Sequence, residues 1–385
     1  MTKVTNSDPL RQYSTKELLS LVHPLKRKMG ISRLTSVSAF LDIPGIHIFN
    51  AVRTSLKAGQ ISTTQGAGRS VKAAAASALM EGFERHCASH SVQLITHAAP
   101  SPAQSRTLIA MGYRPDCTIQ DWVSATCLLT DEVIEIPAIE VLYPYHGGDL
   151  AVSNVKPHTS GLAAGGSCLE ASIFGFLECI EREATAHFYK QCLHDVCGSY
   201  VDLKTIQSPE TSSLYQTLLD VGYQAFAIKI NCDFPTFYVA VYDPVHMGPK
   251  YMVVASSSSF CEHKALDRAF LEAIQGLTVS LQASREDLDR HHKLYTEQQP
   301  FATPSFDLYR DYFAAAYPLY RLPCSTTDNL TKQSALSTIE TSLKQRQVHH
   351  LYSVDLSGNE SALKTVKVIV PGIFDSYVNP NRVCS

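Results

Sequence analysis

Apolar positions recur along the chain with two periods, and the periods divide it into elements. The box Ser14-Thr15-Lys16-Glu17 precedes Leu18 and Leu19 and predicts a short helix from Ser14. VKAAAASALMEGFERHCASH (71–90) is rich in alanine, with no Gly or Pro before Gly82, and predicts a long helix. A second long helix is expected from Cys168 to Cys192, a third over 262–284, and shorter amphipathic helices over 213–221 and 332–346. Strands are expected at 46–53, near 60–64, within 119–129 and 133–143, and in YQAFAIKIN, TFYVAVYD, YMVVASS, LYSVD and TVKVIVPG. The glycine-bearing stretches Gln65–Gly68 and Gly161–Gly166 are expected to break the chain, and 286–306 to form a long surface loop. Helices and strands intersperse without a clean βα alternation. The expected class is therefore α+β, a mixed α/β fold whose mixed sheets are covered by helices. Residues 1–30 read as a polar N-terminal segment and 31–385 as a single domain.

The long helices share an acidic pattern. At 100° per residue, Ser77, Glu81 and Glu84 fall in a wedge of about 60° beside the stripe Leu79, Met80, Phe83 and Cys87. Ser167, Glu170, Glu178 and Glu181 fall within about 80°, along the edge of the stripe Ile173, Leu177, Ile180, Ala184 and Phe188. The third helix puts Arg268, Glu272 and Gln275 within about 60°, next to Phe270, Leu271 and Ile274. The first two helices also echo each other: aligning Glu81 with Glu178 pairs Gly68 with Gly165, Ser70 with Ser167, Glu84 with Glu181 and Arg85 with Arg182. A Glu with Arg four residues later makes a helix salt bridge worth a few tenths of a kcal/mol, which accounts for any one such motif. Recurrence, apolar flanks and the mutual repulsion of carboxylates three apart point instead to a cation between them. Hard oxygen ligands favour Mg2+, and the five acidic groups of the first two long helices suggest more than one ion holding a polyphosphate.

Composition narrows the partners. The formal charge is -3, and no basic stripe interleaved with aromatics suggests nucleic acid. There is no signal-peptide pattern at the N-terminus and no apolar run long enough for a membrane span, so a cytoplasmic protein is expected. The eleven cysteines contain no CxxC pair, and His187, Cys192, His194 and Cys197 match no zinc spacing; reduced thiols are expected.

The segments SALMEGFER, GLAAGGSCLEASIFGFLECIERE and KALDRAFLEAIQG, in this order, resemble the three helical motifs of YcaO-domain proteins. QGAGRSVKAAAAS, SREDL (284–288) and VKVIVPGIF agree with that resemblance, which spans roughly residues 30 to 375 and makes 31–385 a single YcaO-like catalytic domain with its ATP site between helices. It implies ATP- and Mg2+-dependent activation of a peptide backbone amide: the amide oxygen is phosphorylated, a nucleophile adds, and phosphate leaves. A neighbouring Cys, Ser or Thr then gives an azoline, sulfide a thioamide, an amine an amidine. The resemblance makes Glu81, Glu84, Glu170, Glu178, Glu181 and Glu272 metal ligands. It makes Arg182, Glu272 and Gln275 catalytic, and sets Ser77, Arg53, Gly68, Arg182 and Gln275 at the nucleotide. It also implies a peptide or protein substrate, a TfuA-like or leader-peptide-binding partner, and a homodimer.

Three positions depart from the family pattern: Ala67 where lysine is common, Ser160 for asparagine, and Gly166 where asparagine is frequent. The final NPNRVCS also lacks the PxPxP tail of azoline-forming members. The missing tail weakens the azoline outcome and favours thioamide or another amide-activation chemistry, while the substitutions at Ala67, Ser160 and Gly166 motivate a competing reading, a catalytically reduced scaffold that binds peptide or partner. A carboxylate-only metal hydrolase is disfavoured by the lack of histidine in the three motifs.

Overall fold

The computed structural model describes residues 8–54, 56, 60–97, 108–109, 111–113, 119–150, 155–244, 252–282, 306–323, 330–358 and 362–373. SREDL, the C-terminal tail with Cys384, and all but the last residue of 286–306 lie outside the described residues. The chain forms two compact units: Met1–Leu25, Met80–Ala186 and Asp328–Ser385 make one, Lys26–Leu79 and His187–Thr327 the other. Its eight described helices and three sheets make a mixed α/β fold.

In the Lys26–Leu79/His187–Thr327 unit, a five-stranded sheet runs in the order Met252–Ser258, Thr236–Tyr242, Gln224–Ile230, Gly198–Val201, Leu319–Tyr320. All neighbours are antiparallel except the last pair. TFYVAVY is apolar almost throughout because both faces are covered. The helix Glu262–Gln282 buries Ala265, Leu266, Ala269, Phe270, Ala273 and Ile274 at i, i+3 and i+4 spacing against Phe237, Val239 and Val241. Phe188, Phe306 and Phe313 gather with Phe226 and Tyr238, ring centroids 5.0 to 6.4 Å apart. Phe306 is thus no loop residue: it starts a helix, Phe306–Ala316, and its ring also stacks on Tyr242 at 4.9 Å.

The same unit holds an antiparallel three-stranded sheet, Ile31–Ser36, His47–Arg53, Thr63–Gly68. Gln65–Gly68, expected to break the chain, is strand. Its glycines serve close packing: a Cβ on Gly66 would lie 2.2 Å from the Ala78 amide nitrogen, and one on Gly68 2.9 Å from Ala74 N. The helix Val71–His90 starts right after, with the bounds its alanine-rich sequence predicts.

In the other unit, the strand order is Val133–Pro137, Trp122–Cys127, Tyr352–Asp355, Lys364–Ile369, Leu162–Gly165, all antiparallel. The second glycine stretch likewise contains a strand, Leu162–Gly165. The strand expected over 133–143 gives way after Pro137 to a helical turn, Ala138–Val141, buried on all sides. An apolar run buried all round carries no period to tell strand from helix. The helix Cys168–Gln191 packs on the sheet through Gly175, where a Cβ would meet Gly161 O at 2.7 Å and Val368 Cγ2 at 2.9 Å. The capping box forms as read: Ser14 Oγ accepts from the Glu17 amide, and Glu17 Oε2 accepts from the Ser14 amide at 2.9 Å. None of the eight described cysteines forms a disulfide, and no helix among the described residues is long and apolar enough to cross a membrane.

The glycine contacts predict a contrast. Gly66→Ala drives a methyl into helix backbone and is expected to cost about 3 kcal/mol or more. Gly45→Ala meets nothing within 4 Å and carries only the strain of its φ of +74°, about 1 kcal/mol. Denaturant midpoints of the two variants check the order.

Candidate functional site

The second half of the Val71–His90 helix and the middle of the Cys168–Gln191 helix each place a Glu-Arg pair in the unit built on Met80–Ala186. Arg85 Nη2 lies 3.6 Å from Glu81 Oε1, and Arg85 Nε 3.9 Å from Glu84 Oε1. Arg182 Nη2 lies 3.4 Å from Glu178 Oε1. The i, i+4 bridges therefore form, and both are long. They do not exhaust the acceptors: Glu178 Oε2 also takes the Gly161 amide at 3.2 Å. That residue turns at φ +79°, and a Cβ there would lie 2.3 Å from Val368 O. Only glycine fits.

Electrostatics join the two helices. Burial pushes the Glu84 carboxyl up to about 8; Glu178 and Glu81 add to the rise, against the pull of Arg85 and Lys367. Arg85 is buried too, yet Glu84, Glu81 and Glu178 hold it above its ordinary range. One of its buried nitrogens, Nη1, has no hydrogen-bond partner in the described structure. Lys367, on the Lys364–Ile369 strand, completes the group: burial brings it down to about 8, opposed by Cys179, Glu178 and Glu84. Three carboxylates, one arginine and one lysine thus interact within a half-buried region.

This donor set fits Mg2+. Among the described residues no three His, Cys, Asp or Glu side chains surround a single ion position. Mg2+ does not require such a cage, since it is usually held by one or two carboxylates, phosphate oxygens and water.

The remaining expected residues have other surroundings. Glu170 is buried and accepts from Arg11 Nη1 at 3.2 Å and the Gln12 amide at 2.8 Å, with Lys332 Nζ at 3.7 Å. It lies eight residues before Glu178, about 12 Å along the helix, and its charge is matched by this N-terminal segment. Glu181 is half-buried, one turn beyond Glu178. Ser77, Glu272, Gln275, Arg53 and Gly68 belong to the other unit. Ser77 and Glu272 are exposed, and Gln275 is half-exposed. Arg53 is buried, donating to Met29 O and Gln60 Oε1 at 3.4 Å each, so it is no surface charge. Gly68 is spent on helix packing. Of the departures, Gly166 has a packing cause: a Cβ would collide with Gln12 Cβ at 2.7 Å and the Tyr13 ring at 2.8 Å. Ala67 packs against the apolar core. Sequence reasoning missed Lys367 and the Gly161 amide; a lone lysine inside the valine run of VKVIVPG was the available signal.

The raised Glu84 fixes a sign. A carboxyl whose folded value of about 8 exceeds its ordinary 4.5 lends stability that is complete below pH 4.5 and gone above pH 8. Metal-free protein is therefore expected to lose on the order of 3 kcal/mol over that window relative to the Glu84→Gln variant. The two should melt alike near pH 4.5 and diverge towards pH 8, the variant melting higher.

Known proteins share this architecture. YcaO from Methanopyrus kandleri, bound with AMPPCP and Mg2+, has the same fold, with a TM-score of 0.75 and 20% identity over 99% of this chain and 97% of that one. A heterocyclase in complex with substrate and cofactor follows at TM-score 0.67 and 17% identity, over 95% of this chain and 53% of its own. In sequence, a Methanothermobacter thermautotrophicus protein described as uncharacterized is 27% identical over 364 residues, 92% of each chain. Residues 65–374 match the sequence model of a family described as YcaO cyclodehydratase, ATP- and Mg2+-binding. The chain belongs to the YcaO cyclodehydratase family, whose members bind ATP and Mg2+.

Proposed function

We propose that this protein uses ATP and Mg2+ to activate a backbone amide of a ribosomally made peptide or protein. The observation that carries this reading is the interaction of Glu84 with Glu81 and Glu178 across two helices, in a half-buried place with arginine beside it. Glu81, Glu84, Glu178 and Glu181 hold Mg2+. Arg182, half-exposed beside Glu178, offers its guanidinium to phosphate. The family resemblance assigns Ser77, Glu272 and Gln275 to the nucleotide and the reacting groups, and each is exposed or half-exposed within its own unit. Arg53, Gly68 and Glu170 act through packing and positioning, in keeping with their buried partners.

Glu81, Glu84, Glu178 and Glu181 would hold Mg2+, which would supply positive charge against the phosphates during transfer of a phosphoryl group from ATP to the amide oxygen. Arg182 and Arg85 add fixed positive charge where the chain carries it. Addition of a nucleophile to the activated carbon, with loss of phosphate, gives a thioamide from sulfide or an azoline from a neighbouring Cys, Ser or Thr. A heterocyclase of this fold, solved in complex with substrate and cofactor, favours an enzymatic reading over a scaffold. A TfuA-like or leader-binding protein delivers the substrate, residues 31–385 act as one catalytic domain, and the active form is a homodimer. The scaffold alternative draws on Ala67, Ser160 and Gly166, but packing explains two of these three departures.

Calorimetry with Mg-ATP tests the site, and peptide-dependent phosphate release tests the reaction. Glu81→Gln and Glu178→Gln are each expected to weaken Mg-ATP binding by more than about tenfold while the fold survives. Arg310→Ala removes bridges to Asp307 and Asp311, a bond to Gln224 and a contact over the Phe306 ring, none of them at the Glu81, Glu84 and Glu178 carboxylates, so it should bind like the unsubstituted protein. Unchanged affinity in both glutamine variants would leave the helix bridges as the whole meaning of the motifs. Binding without peptide-stimulated phosphate release would favour the scaffold.

A further inference from the structure

Glu140 is 2% exposed, in the helical turn Ala138–Val141. An acid this deep in the core needs donors. Tyr113 Oη donates to Glu140 Oε1 at 2.7 Å, and the His158 ring nitrogen Nε2 lies 3.2 Å from Glu140 Oε2. Both neighbours can donate to an ionised carboxylate, the imidazole through Nε2–H. Tyr113 is buried as well, and the His158 side chain is nearly so, so the three groups lock one another in place.

What they lock is the stretch of chain that enters the Leu162–Gly165 strand, and three further contacts within the same unit hold it. Lys367 Nζ donates to the His158 carbonyl at 2.8 Å, Leu162 N to Thr159 O at 2.8 Å, and Val368 N to Gly161 O at 2.8 Å. Gly161 in turn gives its own amide to Glu178 Oε2 at 3.2 Å. The glycine's φ of +79° and its close approach to the Val368 carbonyl leave that peptide little room to turn. The path from the Glu140 carboxylate to the Glu178 carboxylate is therefore continuous: an imidazole, the backbone from His158 to Gly161, and one amide, with no hydrogen bond longer than 3.2 Å.

We propose that Glu140 is a positioning residue, which through His158 holds the Gly161 turn and so orients the Glu178 carboxylate before any cation or nucleotide binds. Its use in presenting a metal ligand rests on the reading of the site given above; the brace itself does not. Asp149 supplies a contrast in the same unit. It is fully buried too, but it accepts from the Gln120 and Asp121 amides at 3.0 Å each and stands outside this path. Its loss should weaken the fold without touching the Gly161 amide selectively.

Amide hydrogen exchange of metal-free protein, followed by NMR, reads the brace directly. Glu140→Gln keeps the shape and replaces one acceptor by a donor, and is expected to speed exchange at the Gly161 amide by about tenfold or more. Tyr113→Phe should move it in the same direction, and Asp149→Asn should leave it within about twofold of the unsubstituted protein. Equal acceleration in Glu140→Gln and Asp149→Asn, or none in Glu140→Gln, overturns the brace. If Glu140→Gln does not fold, Tyr113→Phe set against Asp149→Asn decides by the same criterion. A second experiment titrates Mn2+ by the paramagnetic resonance of the free ion. Glu140→Gln should bind about tenfold more weakly, with Asp149→Asn unchanged. Unchanged binding by Glu140→Gln overturns the positioning role. Faster Gly161 exchange together with no Mn2+ bound by the unsubstituted protein would overturn the metal reading and leave the brace standing.

Discussion

Repulsion between carboxylates drawn together out of bulk water governs this site. Glu84 stands beside Glu81 on its own helix and Glu178 on another, with 16% of its side chain exposed. In such a place ionised acids either take up protons or acquire cations. The chain supplies Arg85, Arg182 and Lys367, and the long 3.4 to 3.9 Å separations of the arginines leave the neutralisation incomplete. A site in this state gains from any divalent ion that reaches it. Carboxylates gathered in this way are also what holds Mg2+ against phosphate oxygens.

Holding like charges together demands rigid supports, and here they are glycines. Gly161 gives its amide to Glu178 from a left-handed turn that a side chain would block, and Gly175 presses the Glu178 helix onto the sheet. Gly66 and Gly68 do the same for the start of the Val71–His90 helix. These contacts fix strand against helix at backbone distance, which carries the precision of the charged groups back to the fold.

Much of this was legible in the sequence, and the misses have physical causes. The alanine-rich Val71–His90 helix and the Ser14 capping box depend on local propensity and hydrogen bonding, so pattern alone located them. Glycine pairs read as chain breaks turned out to be strands, because sequence shows glycine's freedom and hides the helix that needs its missing Cβ. Phe306 looked like the end of a loop, since its partners Phe226 and Tyr242 lie more than sixty residues away. The recurring Glu-Arg motifs exposed the acidic group, yet no spacing rule could show that Glu170 is engaged by Arg11 and Lys332, or that Lys367 stands near Glu178. Long-range charge pairing is written in the fold alone.

The most direct test is a crystal grown with Mn2+ and a non-hydrolysable ATP analogue, with Mn2+ located by its anomalous scattering. The account predicts at least one peak within about 2.2 Å of carboxylate oxygens of Glu84 or Glu178 and bridging to a phosphate oxygen. Ordered Mn2+ and nucleotide elsewhere on the protein, with Glu81, Glu84 and Glu178 bound only to arginine, lysine and backbone amides, would contradict it.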